Sequence, residues 1–388
     1  MDSIMKFFLM LLCFSCTNIY AAPPMIDGSY HASFSLNSDG TVSSWGALDW
    51  SSPPTIQLLP LPINNLSSIV SISKNYFVKN DGTVWHTIDG LSNTSASQKT
   101  GITNVKEVSK AHVHTLALKH DGTVWGWGDN QQGELGTGIT SYEENAPVQV
   151  SGLSNIISIS AGGSNEPTSF ALASDGTLWA WGGNHSGKFG NGSTCGAIFC
   201  GVPIPQKINN VTGITSISNG SFHTALLKTN GTVWLTGSVN GLNFKQVVGL
   251  DNITAISAGN NSTLALKSNG EVVSISNGTT PVVSIISGLS NITFINYPGY
   301  QVYYAISNNG KMYAWGSNSN GRLGNGSTTS SATPIEVGVV ISPPNTEIPT
   351  YKVPMMTDLA LFIMAVCLSA FVVVKQNKIS VIEKDMNV

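Results

Sequence analysis

Charge is scarce in this chain of 388 residues. Only 10% of them are charged, and the formal net charge is -3. No basic stripe runs along it, so the electrostatic footprint of a nucleic-acid binder is missing. No GxxxxGK[ST] occurs, and no GxGxxG opens a helix after a strand, so a nucleotide cradle has no support. Cysteine is sparse too, with five in all. Cys13, Cys16 and Cys367 lie in the apolar ends, which leaves Cys195 and Cys200 in the body. Their loop, TCGAIFCG, reads as a small disulfide. Zinc would need two further ligands, and His185 is the only close candidate, so neither metal nor cofactor is expected.

Long apolar runs are confined to the two ends. Lys6 precedes the run Phe7 to Phe14, and Ala21 and Ala22 follow. That is the pattern of a secretory signal peptide, too short for a membrane span. At the other end Leu359 to Val374 is apolar and Lys375 stops it. With Met355 and Met356 it just reaches the ~17 residues that a span requires. A plain membrane anchor is one reading. The other rests on Ile348-Pro349-Thr350 before the apolar run. This resembles the Ile-Pro-Thr-Leu type C-terminal sorting signal of Gram-negative bacteria, with Tyr351 in place of the usual Leu. The expected organisation is a signal peptide over 1–22, a folded body over 23–342, a Pro-rich linker over 343–354 and an apolar helix with a polar tail over 355–388. Contact with a membrane would run through that helix, at least transiently. The localisation expected is the cell envelope, or secretion after C-terminal processing.

What the body has in abundance is glycine, 40 in the chain, and short Val- and Ile-rich runs. Asp/Asn-Gly pairs line up at Gly40, Gly82, Gly122, Gly176, Gly231, Gly270 and Gly310, as in KHDGTVWGWG and KTNGTVWLTG. An Asx-Gly pair between two alternating runs is a strong hairpin signal, because both residues tolerate positive φ. A shorter run lies upstream (IISISAGG) and another downstream (APVQV). Four antiparallel strands per unit, repeated seven times, predict an all-β, seven-bladed propeller. We letter the strands A to D in chain order. Trp125 and Trp127 lie two apart on strand C, as do Trp179 and Trp181, so each pair faces one neighbouring blade; Trp315 occupies the matching place in the last copy. The first copy, MIDGSYHASF, reads as having no strand A of its own, while GVVIS is surplus after the last copy. The C-terminal strand is therefore expected to pair with the N-terminal blade and close the ring.

The unit GxxHTLALKxDGTVWxWGxNxxGxLGxG resembles the repeat of the regulator of chromosome condensation family, a seven-bladed propeller. Copies three, four and seven carry it in full: GDNQQGELGTG, GGNHSGKFGNG and GSNSNGRLGNG. The resemblance implies the fold and a binding role. Family members in eukaryotes act as exchange factors on small GTPases or bind chromatin; a secretory signal and weak charge fit neither well. The resemblance also reaches a secreted bacterial propeller that inhibits β-lactamase with its loop face.

No nucleophile, base and orienting acid emerge as a set, so no catalytic residue is nominated and no enzyme is expected. Asp39, Asp81, Asp121 and Asp175 are turn residues. His31, His114 and His223 share one repeat position and read as structural hydrogen-bonders. Strand A is mostly Ser, Ile, Ala and Gly, which speaks against titratable groups meeting at a mouth of the axis. The B–C turns and D–A links are uniform, whereas the A–B and C–D loops vary. Variable loops on a rigid frame are where partners bind. Trp50, Tyr142, Glu143, Glu144, Glu166, His185, Phe199 and Tyr300 are the candidate contacts for a protein partner. The alternatives are an inhibitor that inserts such residues into a secreted or periplasmic hydrolase, and an exchange factor acting on a host GTPase.

Overall fold

The computed structural model describes residues 23–340 apart from 50, 52–53, 88–94, 165 and 197–199. The signal-peptide and C-terminal segments lie outside the described residues, as do Trp50 and Phe199. Among the described residues no helix is long and apolar enough to cross a membrane. Among the described residues twenty-eight strands form seven four-stranded sheets, each in the order A-B-C-D. The blades run over 25–62, 69–98, 105–149, 156–208, 214–246, 253–285 and 292–340. Every neighbouring pair within a blade is antiparallel, as in His114–Lys119 against Val124–Asn130.

The Asx-Gly turns make the hairpins. All seven glycines have positive φ, from 74° at Gly231 to 83° at Gly176. The Asx side chain accepts from the amide two residues on, as Asp121 Oδ1 does from Thr123 N at 3.0 Å. In three blades the turn goes further. Trp85, Trp125 and Trp234 each donate Nε1 to the turn threonine. Lys79, Lys119 and Lys228 lie over those rings at 4.1, 4.7 and 3.9 Å, a contact of about 0.5–1 kcal/mol at a half-exposed site. Trp125 is thus half-buried beneath Lys119, whereas Trp127 is core.

The uniform GLxNI links have a physical reason. Asn104, Asn155, Asn252 and Asn291 sit in the left-handed region, with φ of 62°, 54°, 55° and 53°. Each nests on the turn glycine of the preceding blade, whose carbonyl accepts from the next residue, as Gly122 O does from Ile156 N at 3.2 Å. A Cβ on Gly122 would lie 3.1 Å from Asn155 Cα, while one on Gly176 would meet nothing within 4 Å. Both substitutions to alanine strain φ, which costs about 1 kcal/mol or more. Gly122→Ala is expected to cost more than Gly176→Ala, because it also pushes on the next blade. Urea melts of the two variants check this, and equal midpoints would contradict it.

The core lies between blades. Trp181 packs with Leu116, Val124 and Ile159, and Trp127 with Val78, Val84 and Val108. Near the axis, one position of strand A forms a belt: Asp27, Ser73, Ser109, Ser160, Ser218, Ser257 and Asn296. Ser73 Oγ accepts from Lys110 N at 3.0 Å, Ser109 Oγ from Ala161 N at 2.9 Å, and Ser218 Oγ from Ala258 N at 2.8 Å. In the first blade the Asp27 carboxylate takes this role for Lys74 N at 2.8 Å.

The expected route of ring closure is corrected. Blade one has its own strand A, Met25–Gly28, paired from Met25↔Leu36 to Gly28↔Ser33. The last strand, Ser331–Val340, stays in blade seven, with Val340 opposite Lys311. Side chains, with one backbone bond from Gly326 N to Leu58 O at 3.2 Å, close the seam instead. Ile26 and Trp45 pack against Tyr304, Met312 and Leu323. Trp45 Nε1 donates to Arg322 O at 2.7 Å, and Asn296 Nδ2 donates to Ile26 O at 2.7 Å.

A second correction concerns His31. His114 lies opposite Gly128, but it is Ala32 that lies opposite the equivalent Gly46. The turn pins the register, and one extra residue before it displaces His31 by one position. His31 is half-buried and near Asn320 Nδ2, at 3.3 Å, while His114 and His223 are fully buried.

Candidate functional site

The three full-length C–D loops are locks. In each, an asparagine folds the loop on itself: Asn130, Asn184 and Asn318 accept through Oδ1 from Leu135, Phe189 and Leu323, at 3.1, 3.0 and 2.8 Å. The glycines allow the turns, and the apolar residue is buried. The loop then engages the next blade. Glu134 O accepts from Trp181 Nε1 at 2.8 Å and Ser169 Oγ at 2.8 Å. Lys188 Nζ donates to Gly220 O at 2.9 Å. The loop glycines are therefore scaffold.

Burial shapes the titration of this layer. Ser169 Oγ gives its proton to Glu134 O, so it must accept from His114 Nε2–H, 2.9 Å away. His114 is thereby a neutral Nε2 tautomer, and burial pushes its pKa down to about 3. His223 behaves alike: Nε2 faces Thr263 Oγ1 at 2.7 Å, and its pKa is pushed down to about 3 by burial. A histidine that stays neutral when folded loses a proton-binding contest to the unfolded chain below about pH 6.5. Its penalty is absent above that pH and grows as pH falls towards 3. His114→Gln retains an N–H for Ser169 but does not titrate. We expect the wild-type stability to fall by about 1.4 kcal/mol per pH unit relative to this variant below pH 6.5. Parallel pH-dependent urea melts would refute this.

Two nominated residues belong to this scaffold. Glu166 is 1% exposed and accepts from Ser186 N at 2.8 Å, with His185 Nδ1 at 3.4 Å. Lys188 Nζ also reaches Glu166 O at 3.3 Å. Glu166 is therefore turned inward, a correction to its reading as an exposed loop acid. The sulfurs of Cys195 and Cys200 meet in the same loop, with Cα atoms 5.7 Å apart, a span that suits a disulfide.

Blade two lacks the NxxGxLG segment, and the seam to blade three differs accordingly. Trp127 holds the place of Trp181 and Trp45. Its Nε1 faces Tyr76 OH at 3.2 Å. The Lys99 ammonium lies over its ring at 5.5 Å and donates to Asn145 O at 2.6 Å. Burial holds Lys99 below its usual pKa, with Glu143 pulling the other way. Above this seam lies a groove of about 550 Å³ whose walls include Tyr76, His86, Asp129, Tyr142, Glu143 and Asn145. Tyr142 is 79% exposed. Glu144, next along Ser141–Gln149, is half-buried and outside the groove lining.

Lys110 and His112 line this groove and also a second cavity, of about 170 Å³, at the mouth of the axis. Tyr300 stands there, its OH 2.9 Å from His112 Nδ1. Asp27, Lys74, Lys110, His112 and Tyr300 thus converge on one mouth, contrary to what strand A composition suggested. Tyr300 was among the nominated contacts; sequence reasoning missed the others, and Lys74 and Lys110 in particular occupy the ends of runs that are otherwise small and apolar. Among the described residues no His, Cys, Asp and Glu cluster could hold a metal ion.

Comparison with known proteins gives the same architecture. The profile "Regulator of chromosome condensation (RCC1) repeat" matches residues 121–165, 175–227 and 309–348, and a second profile of that description matches 156–188. The human probable E3 ubiquitin-protein ligase HERC6 is 34% identical over 133 residues, which are 34% of this chain and 13% of that protein. Human Protein RCC2 is 33% identical over 125 residues, 32% of this chain and 23% of its own length. The chain therefore matches a small part of these relatives. Among solved structures, yeast RCC1 (Prp20) in complex with Kap60 has a TM-score of 0.62 at 15% identity, covering 83% of this chain and 86% of the other. Human WBSCR16 has a TM-score of 0.61 at 16% identity, covering 76% and 90%. The chain is a seven-bladed β-propeller in which residues 121–227 and 309–348 match the regulator of chromosome condensation repeat.

Proposed function

We propose that the chain is a binding scaffold that recognises a protein partner through its A–B and C–D loop face, by shape and charge rather than by bond chemistry. One observation carries this reading. The described residues of blades two and three leave an aromatic-walled groove between them, flanked by Tyr142 and Glu143 on the face where the loops vary. Tyrosine in a pocket rim is a common anchor at interfaces. A similar propeller, yeast RCC1, has been solved bound to the protein Kap60. Tyr300, His185, Trp50, Glu144 and Phe199 remain part of the proposal. We further propose an exported, envelope-associated or secreted protein, on the basis of the leader-like run at 7–14 and the apolar run at 359–374. The Cys195–Cys200 pair accords with an oxidising compartment.

The test is affinity capture with matched variants. Wild type, Tyr142→Ala/Glu143→Gln and an opposite-face control, His120→Ala/Asp251→Ala, are used as baits under one condition. The expected outcome is a partner kept by wild type and control and lost by the groove variant. Loss in the control alone would assign docking to the other face.

A further inference from the structure

We infer that the axial mouth is a binding site for a compact oxyanion, a phosphate or a carboxylate. The inference rests on the supply of donors and charge. At the belt, Ser73, Ser109 and Ser218 each use their hydroxyl oxygen to accept a peptide N–H from the next blade. A hydroxyl that accepts in this way still has its own proton to give. All three serines line the cavity. Two neighbouring acceptor groups, Asp27 and Asn296, are engaged. Asp27 takes Gly28 N at 2.7 Å, Lys74 N at 2.8 Å and Asn296 Nδ2 at 3.0 Å. Asn296 Oδ1 takes Ser257 Oγ at 3.0 Å.

Charge has the same sense. Lys74 Nζ reaches Ala111 O at 3.1 Å, and Lys110 Nζ reaches His112 O at 3.2 Å. Two ammonium groups are thus held at consecutive carbonyls of one loop, beside the His112 ring. Against them the cavity lining has one carboxylate, Asp27, whose pKa is raised by burial against the pull of Lys74. Gly162, Gly220 and Gly259 also line the cavity, each packed closely against the next blade. The cavity of about 170 Å³ holds on the order of five or six waters at ~30 Å³ each. That suits a phosphate or carboxylate with part of its hydration. Charge-assisted bonds to lysine, with hydroxyl donors below, are the chemistry that holds such an anion.

The site is tested on the full chain with no protein partner present, so its failure is separate from failure of the docking reading. Phosphorus NMR follows inorganic phosphate at pH 7, with chloride holding ionic strength constant. Saturable line broadening is expected in the wild type. Lys74→Gln/Lys110→Gln is expected to weaken it at least tenfold, and Lys74→Arg/Lys110→Arg to restore it to within about threefold, with circular dichroism confirming the fold of each. Acetate is then added. Displacement of phosphate means that a carboxylate also occupies the mouth; no displacement means a site selective for phosphate. Absence of saturation in the wild type, or equal binding by the glutamine variant, would overturn the inference.

Discussion

Trp45→Ala is expected to lower the stability of the propeller by about 3–5 kcal/mol, the range for deleting a large aromatic from a core. Trp45 is fully buried at the seam between the first and last blades. Among the described residues no strand crosses that seam, because Met25–Gly28 belongs to blade one and Ser331–Val340 to blade seven. One backbone bond spans it, from Gly326 N to Leu58 O, and closure otherwise depends on side chains, of which Trp45 is the largest. Its Nε1 also bonds Arg322 O, which receives Ser33 Oγ and Tyr304 OH as well. Trp45→Phe retains most of the buried area and loses the hydrogen bond, so its cost is expected to be smaller, about 1–2 kcal/mol. Urea unfolding followed by circular dichroism distinguishes the two. A loss below 1 kcal/mol for Trp45→Ala would mean that the seam is held elsewhere.

The second large effect is on binding. Tyr142→Ala with Glu143→Gln is expected to weaken the captured partner by 2 kcal/mol or more, the threshold of an interface hot spot, or about thirtyfold. Tyr142 offers a mostly exposed ring at the lip of the groove, and Glu143 has a charge beside Lys99. Neither contributes to the buried core, so the fold is expected to be unchanged. Glu166→Gln is the contrasting case. Glu166 is buried beneath the loop and tied to Ser186 N, so its change acts on stability before it acts on binding.

The repeat was legible because its signals are local. Each Asx-Gly turn, each alternating run and each lock motif is read within about twenty residues. Blade one escaped that reading for a local reason as well. Its strand A is four residues long and puts Asp27 where other blades put serine, so MIDG does not resemble IISIS. The His31 shift follows from a single inserted residue, visible in the spacing to Gly40 but ambiguous until the pairing is known. Burial of Glu166 was not legible, since Ser186 and Lys188 come from a loop twenty residues on. The groove between blades two and three lies where the sequence of blade two has no NxxGxLG segment, a signal read only by comparison with the other copies. The cationic mouth depends on seven strands meeting at one axis, so Lys74 and Lys110 are neighbours only in the folded ring.

The central claim is that partner binding covers the groove between blades two and three. Hydrogen exchange of the propeller with and without its captured partner tests it most directly. The account predicts slowed exchange at 76–79, 110–113 and 141–149, with the B–C turns at 119–123 and 228–232 unchanged. Protection confined to those turns, or spread evenly over all seven blades, would contradict it.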